Sequence, residues 1–200
     1  MTPRSTPAPE SRRQDPDKTR RALLDAALDV FSEKGYAGAR VQDIADRAGV
    51  NKQLISYHFG GKEGLYAALH ERWLRREAEL TGPDKSLEDL ILAYLRHSLR
   101  DPRGVRLKAW KGLTECADDV PAEPPEDLTD LLRRRDAGEI AAEFDPACLM
   151  MMLYSLVMGP IILAPTARAI VGHCPGSPEF EERYGAQLRL LLRRLAETAP

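Results

Sequence analysis

Two short amphipathic segments separated by a tight turn constrain the fold of this chain more than any other feature. Between Val41 and Ala48 the apolar residues recur with the i, i+3, i+4, i+7 spacing of one helix face, and Gly49 suits a helix C-terminus. Asn51 can then cap a further short helix, which a pair of glycines closes. Two helices joined this tightly predict a helix-turn-helix, whose second helix enters the major groove of DNA.

The same helical periodicity runs through most of the 200 residues, whereas strand patterns are scarce. We therefore expect an all-α fold in which Gly and Pro mark the helix ends. The other predicted helices run from Asp15 or Asp17 to Gly35, Lys52 to about Phe59, Lys62 to about Glu79, Ser86 onward, about Arg103 to Ala117, about Leu128 onward, Pro146 onward with a bend or break at Gly159 and Pro160, and Ser177 onward.

Composition divides the chain into three parts. Residues 1–16 are rich in Pro and polar residues, which predicts a disordered arm. The stretch TGPDKS separates a helix-turn-helix DNA-binding domain at 17–80 from a second helical domain at 81–200. Residues 1–78 carry a net charge of +3 and residues 79–200 one of −5, so the first part is better suited to meet a polyanion.

Several function classes lack support in the sequence. The three cysteines are far apart, with no CxxC pair or clustered histidines, so neither a disulfide framework nor a metal site is expected. No GxSxG, P-loop or HExxH motif occurs, and we expect no enzyme activity and no cofactor. The opening residues contain no apolar signal segment, and together with the unpaired cysteines this predicts a cytoplasmic protein.

Residues 147–167 form an uncharged stretch of 21 residues, which is long enough to span a membrane. Gly159, Pro160 and Pro165 interrupt it and no basic cluster flanks it closely, so we expect a largely buried helix and no membrane partner. One chain has too little surface to cover this helix and the last one. Residues 146–171 and 179–196 are therefore predicted to form a four-helix bundle in a homodimer.

At its front the sequence is similar to a known family. The run VQDIADRAGVNKQLISYHFGGKEGLYAAL, at 41–69, resembles the DNA-binding core of TetR/AcrR-type repressors, and the resemblance extends over roughly residues 18–78. It implies a helix-turn-helix domain attached to a larger helical domain that dimerises and holds a small-molecule pocket. Members of the family are mostly repressors that their ligand releases from a double-stranded DNA operator.

The resemblance also implies which residues face DNA. Lys52 and Gln53 fall at the N-terminal end of the second helix of the motif, where base edges are read, and Gln can pair with adenine. Tyr57 and His58 can donate to phosphate oxygens, and Lys62 adds charge to the start of the next helix. The complete predicted set is Arg40, Gln42, Lys52, Gln53, Ser56, Tyr57, His58 and Lys62.

Three positions depart from the family pattern. Ala39 and Arg40 stand where members usually have a Thr pair, so the usual hydroxyl cap is missing and Arg40 is left to replace a phosphate contact by charge. Ser56 stands where an aromatic residue is common. Gly61 stands where a Ser commonly caps the following helix.

The second domain is expected to contain a largely apolar pocket for an unidentified effector. Large apolar side chains with a few polar tips are typical of small-molecule sites, and they occur on helices around the Gly159 and Pro160 break. The predicted lining residues are Tyr94, His97, Trp110, Cys116, Met151, Tyr154 and Met158.

Other interpretations of the sequence remain open. A helical interaction module without DNA binding, or a small helical enzyme, has the same periodicity. His58 can pack beside Phe59, the methionines at 150–152 and 158 suit a core or a dimer seam, and the arginines at 133–135 suit a solvated helix face. We assign His70, His97 and His173 no role as titrating groups or as metal ligands.

Overall fold

The computed structural model of the protein describes residues 15–80, 85–114 and 126–195. Within these ranges it is all-helical, as predicted. The predicted N-terminal arm and the TGPDKS boundary fall mostly outside them. The described helices are α1 Pro16–Gly38, α2 Val41–Ala48, α3 Gln53–Phe59, α4 Lys62–Leu80, α5 Leu87–Arg100, α6 Arg103–Thr114, α7 Thr129–Asp136, α8 Pro146–Ile162, α9 Ala164–Val171 and α10 Pro178–Arg194.

The first four helices share one apolar core. Apolar side chains of α1, α2, α3 and α4 meet there with no exposed surface, among them Phe31, Ile44, Ile55 and Leu65. Burying each such side chain stabilises the fold by about 1.5–3 kcal/mol. Because α3 has a single fully buried residue, Ile55, it is fixed by one face only.

A kink in α1 explains why its predicted end was three residues too early. Gly35 has φ of 70°, a left-handed value that glycine adopts without strain, yet helical residues resume and α1 ends at Gly38. The indole Nε1 of Trp110 in α6 donates to the carbonyl of Ser32, one turn before the kink, at 3.1 Å. The Trp110 ring also lies against Gly35, where an added Cβ would be 3.4 Å from it.

The second core lies between α5, α8 and α10, with α7 at one end. Phe180 has no exposed surface, and Leu95, Leu149, Leu153 and Leu188 are nearly as buried. The predicted starts of these helices are confirmed: Ser86, Asp145 and Ser177 each cap a helix by accepting a hydrogen bond from a backbone N–H of its first turn.

The predicted helix break at Gly159 and Pro160 is wrong in position. α8 continues through both residues to Ile162, and the chain turns at Leu163 with a bend of 90° between α8 and α9. Pro160 cannot donate to the carbonyl of Leu156, but the hydroxyl of Tyr184 in α10 donates to that carbonyl at 2.8 Å. The lost helix hydrogen bond is thus replaced from a neighbouring helix.

Arg134 corrects the expectation of a solvated arginine run. Its side chain is only 2% exposed. It bonds Asp130 at 2.6 Å, Glu139 at 2.7 Å and the carbonyl of Lys85 at 2.8 Å. Since its charge is paired on both sides, the buried guanidinium attaches α7 to the start of α5.

No single helix in the described ranges is long and apolar enough to cross a membrane. The bent pair α8 and α9 would pass that test of length and composition only when the two helices are taken together.

Two glycines allow a matched test of packing between α3 and α4. A Cβ on Gly64 would lie 1.8 Å from the carbonyl oxygen of Phe59, whereas one on Gly112 in α6 would meet nothing within 4 Å. We expect Gly64→Ala to lower the free energy of unfolding by at least about 2 kcal/mol. Gly112→Ala should raise it by up to about 1 kcal/mol, because alanine is the better helix former. Denaturant titration measures both free energies of unfolding. Equal values for the two variants would contradict the close approach of Gly64 to the Phe59 carbonyl.

Candidate DNA-binding surface and ligand cavity

The short helix α3 presents a polar surface to solvent. Ile55 attaches it to the core, while Lys52, Gln53 and Ser56 are exposed. Tyr57 is 81% exposed, which is unusual for a large aromatic side chain in a helix with an available core. Because only the opposite face of α3 packs against the core, its polar face can enter a groove of DNA while that packing stays intact.

Caps at the two turns hold α2 and α3 in place. Gly49 ends α2 with φ of 67°, as predicted. The side-chain oxygen of Asn51 accepts from the backbone N–H of Gln53 at 2.9 Å, which confirms the predicted cap. Arg40 precedes α2 without a side-chain cap, so its exposed guanidinium is available for another partner.

The predicted DNA-facing residues differ in how freely they can move. Gln42 donates to Asp46 at 2.7 Å along α2. The ammonium of Lys62 lies 4.4 Å from the centroid of the Tyr36 ring, and partial burial lowers the pKa of Lys62. Half-buried His58 lies between two aromatic neighbours, 5.0 Å from the centroid of Tyr57 and 6.2 Å from that of Phe59.

A chain of ion pairs joins α2 to the second core. Arg47 of α2 pairs with Glu33 at 2.9 Å and with Asp29 at 3.5 Å, both on α1. The other oxygen of Asp29 accepts from Arg103 of α6 at 2.6 Å. Arg103 also forms two 2.7 Å hydrogen bonds with Asp101 at the end of α5.

A cavity of about 240 Å³ lies where α4, α5, α6 and α8 meet. Leu90, Leu153 and Val157 contribute to its apolar wall. Of the predicted pocket residues, the structure places Tyr94, His97, Tyr154 and Met158 at this wall.

Two predicted pocket residues do not line the cavity, and a third is outside the part of the chain that the structure describes. Trp110 faces α1 instead, because its indole bonds Ser32 and packs on Gly35. Met151 is 65% exposed on the opposite face of α8. Cys116 lies outside the described residues.

The cavity wall includes one polar atom without a partner. Nε2 of His70 is buried and makes no hydrogen bond to any described residue. Leaving such a group unsatisfied costs about 1–3 kcal/mol. By contrast, the Tyr94 hydroxyl donates to Glu77 at 2.8 Å, and burial, followed by the Glu77 charge, raises the pKa of Tyr94. Burial, followed by the Arg76 charge, lowers the pKa of His97.

Comparison with known proteins identifies the helix-turn-helix region. Residues 23–69 match the model of the bacterial regulatory proteins of the tetR family. The transcriptional regulator RutR of Escherichia coli O157:H7 is 30% identical over 76% of this chain and 78% of its own length. The chain belongs to the TetR family. Its relatives are regulators of transcription, not enzymes.

Two further relatives extend the similarity beyond the first four helices. The transcriptional repressor SCO4008 of Streptomyces coelicolor is 25% identical over 80% of this chain and 86% of its own length. The solved structure of SCO4942 from the same organism superimposes with a TM-score of 0.68, at 25% identity, over 88% of this chain and 97% of that one. The second half of this TetR-family protein therefore follows the family fold as well.

A second concave surface lies on the outer side of α8, α9 and α10. This outer groove has a volume of about 830 Å³. Exposed apolar residues surround it, including Met151, Met152, Leu163, Ile170 and Leu191. An apolar surface of this kind is typical of an interface.

Sequence reasoning missed the residues that join the two cores and the histidine in the cavity wall. Asp29, Arg47 and Arg103 are far apart in sequence, and nothing in their local spacing predicts that they meet. His70 occurs in α4, and its i, i+3 spacing to the inward-facing Trp73 was the available signal. No group of three or more potential metal-binding side chains occurs among residues 15–80, 85–114 and 126–195.

The ion pair between Asp101 and Arg103 should make stability depend on pH. Hydrogen bonds from Arg103 hold the pKa of Asp101 below its ordinary value. A depressed folded-state pKa contributes stability above the unfolded value near 4, and that stability is lost as pH falls through the folded pKa. We expect Asp101→Asn to cost about 1 kcal/mol at pH 7, after allowance for solvent screening, and almost nothing at about pH 2.

Urea titration at several pH values measures this loss. Asp136→Asn is the matched control, because Asp136 is 75% exposed and its nearest cation, Arg135, is 3.9 Å away. A pH-independent difference between Asp101→Asn and the native protein would show that the charge of Asp101 is not the cause.

Proposed function

We propose that this TetR-family protein is a ligand-released repressor that binds a palindromic operator as a homodimer. The observation that carries the proposal is the outward polar surface of α3, which is fixed to the core through buried Ile55. In a dimer, two such helices about 34–36 Å apart can enter successive major grooves. DNA binding also implies a cytoplasmic location.

Specificity is assigned to the residues at the start of α3, and positioning to its later residues and to the neighbouring helices. Exposed Lys52 and Gln53 lie at the helix end that meets base edges, whereas Tyr57 and His58 can donate to phosphates. Exposed Arg40 supplies charge at the start of α2. Lys62 reaches DNA only by leaving the Tyr36 ring, so its contribution is expected to be smaller than that of Arg40.

A second copy of the chain is the proposed occupant of the outer groove. The groove lies on helices from the two segments that the sequence predicted for dimerisation, 146–171 and 179–196. Its exposed methionine and leucine side chains are costly to leave in water. A two-fold contact covers the same patch on both chains. Pairing through the second domain leaves α3 free on each chain.

The effector is assigned to the cavity between α4, α5, α6 and α8. Leu107 of α6 lines the cavity and packs against the first core, and Asp101, also in the cavity wall, bonds Arg103 of α6. A ligand that shifts α6 would therefore change the distance between the two copies of α3. A 100-fold loss of DNA affinity requires about 2.7 kcal/mol of preference between the two arrangements.

DNA recognition is tested by selecting bound sequences from a random pool. We expect Gln53→Ala to relax the preference at one base pair per half-site, at a cost of about 1–3 kcal/mol, because Gln53 then no longer pairs with a base edge. Arg40→Ala should weaken all sequences alike and reduce the salt dependence of binding by about 2 units of log–log slope in the dimer, one phosphate per chain.

Arg168→Ala is the control for charge, because Arg168 is an exposed cation on α9, away from α3. It should leave both the sequence preference and the salt slope unchanged. Failure of the native protein to select any DNA would favour the interaction-module interpretation and overturn the proposed function.

Dimer formation is tested with a matched pair of leucines. Leu191 is 45% exposed at the outer groove, and Leu132 is 40% exposed on α7. We expect Leu191→Glu to shift the protein to monomers, because it places a charge in an apolar interface, while Leu132→Glu leaves the dimer intact. Light scattering at micromolar concentration measures the masses. A native monomer, or an intact dimer in Leu191→Glu, would contradict the assignment.

A further inference from the structure

We propose that the effector is a small uncharged molecule, mostly apolar, with one hydrogen-bonding group that pairs with Nε2 of His70. This inference rests on the proposed ligand-released function and names the chemical class that the cavity would take. It also gives a role to a histidine that the sequence left without one.

The first support is the unsatisfied nitrogen itself. Buried polar atoms in folded proteins are nearly always hydrogen-bonded, so an exception in a cavity wall requires an explanation. Among the described residues, Nε2 of His70 is the one buried side-chain nitrogen or oxygen without a partner. A ligand hydroxyl or carbonyl can satisfy it, since a neutral imidazole nitrogen either donates or accepts.

The second support is that four of the seven charged side chains in the wall are held in ion pairs, although the exposed Arg76 has none among the described residues. Arg72 pairs with Asp25 at 2.6 Å, and Asp101 pairs with Arg103 at 2.7 Å. Lys108 lies 3.4 Å from Glu126 and 4.6 Å from the centroid of the Tyr154 ring. Asp130 is held by two arginines of α7 at 2.6 Å. Because these charges already have partners, an ionised ligand would lose its hydration without gaining a counter-charge from them.

The third support is the size and lining of the cavity. Its volume of about 240 Å³ is below the ~300–1,000 Å³ that is usual for drug-sized ligands. Leu69, Leu90, Ile91 and Leu153 contribute apolar surface. Such a site favours a molecule with a short hydrocarbon body, for which burial of apolar surface supplies the affinity and one polar group fixes the orientation.

Access to Nε2 requires some adjustment of the wall, because the atom has no contact with solvent. Met150 and Met158 both line the cavity, and methionine side chains repack with little cost. We therefore expect the polar group of the ligand to take the place of wall atoms that now cover the imidazole.

A matched set of six-carbon probes tests the chemical class. Hexan-1-ol, hexanoate and hexan-1-amine have the same body and differ in the charge of the head group at pH 7.5. Calorimetric titration of the full-length native protein should give a Kd for hexan-1-ol at least ten-fold lower than for either ionised probe. Tighter binding of hexanoate or hexan-1-amine than of hexan-1-ol would overturn the proposal.

The role of His70 is tested with His70→Phe, which keeps a ring of similar size and removes the nitrogen. Affinity for hexan-1-ol should fall about three- to ten-fold, the usual net worth of one hydrogen bond. Affinity for 1-chlorohexane, which has a poor hydrogen-bonding group, should not fall. The Tm should be unchanged or higher, because an unsatisfied polar atom has been removed. His173→Phe, on the exposed turn after α9, is the control and should change none of these values.

Equal affinity of His70→Phe and the native protein for hexan-1-ol would contradict the assignment of Nε2, and would favour an ordered water as its partner. Operator binding is measured on the same samples. Loss of the proposed function appears as native protein that selects no DNA, whatever the probe affinities. Failure of this inference appears as the wrong probe order in native protein that does bind DNA.

Discussion

The contact between α1 and α6 fixes how the two apolar cores sit on each other. At one end Trp110 covers Gly35 and donates to the Ser32 carbonyl; at the other, two turns earlier in α6, Arg103 pairs with Asp29. Leu107 lies between them on the same face and packs against the first core. The hydrogen bond from the indole to the Ser32 carbonyl joins two uncharged groups and is not weakened by salt, whereas the partly exposed ion pair is screened by salt and yields more readily. The contact between α1 and α6 therefore resists displacement more at Trp110 than at Arg103.

The helix-turn-helix could be predicted because its information is local. The apolar spacing from Val41 to Ala48, a glycine with positive φ at Gly49 and a cap at Asn51 each act within one or two turns, and all three occur in the structure. The caps of α5, α8 and α10 were predictable for the same reason. Local rules failed where a distant group intervened. Pro160 does not break α8 because Tyr184 replaces the lost hydrogen bond, and Arg134 is buried because Asp130, Glu139 and Lys85 surround it.

The sequence predicted the kinds of side chain that line the cavity, but it identified only some of the lining residues correctly. Tyr94, His97, Tyr154 and Met158 were chosen as large side chains with polar tips on the correct helices, and they line the cavity. Trp110 and Met151 have the same character but point elsewhere, because helix orientation depends on which face meets a neighbour. The face of α6 is set by Gly35, and the face of α8 that carries Met151 is left to the outer groove. Neither contact can be predicted from the sequence of the helix concerned.

The cavity lies next to the contact between α1 and α6, so a small ligand in the cavity could shift that contact. Asp101 contributes both to the cavity wall and to the pair with Arg103, so a ligand in the cavity need not push across the whole domain to reach α1. Exposed or half-exposed ion pairs are each worth up to about 1 kcal/mol, so the three pairs from Asp101 to Arg47 would supply the ~2.7 kcal/mol of a 100-fold response only if nearly all of their worth were lost. Apolar contacts that α6 gains or loses can supply the rest, and Leu107, which lines the cavity and packs against the first core, is the residue placed to make that exchange. If the protein is released from its operator as proposed, linkage requires operator DNA to weaken ligand binding by the same factor, because the same shift of α6 separates the two states whichever partner binds first.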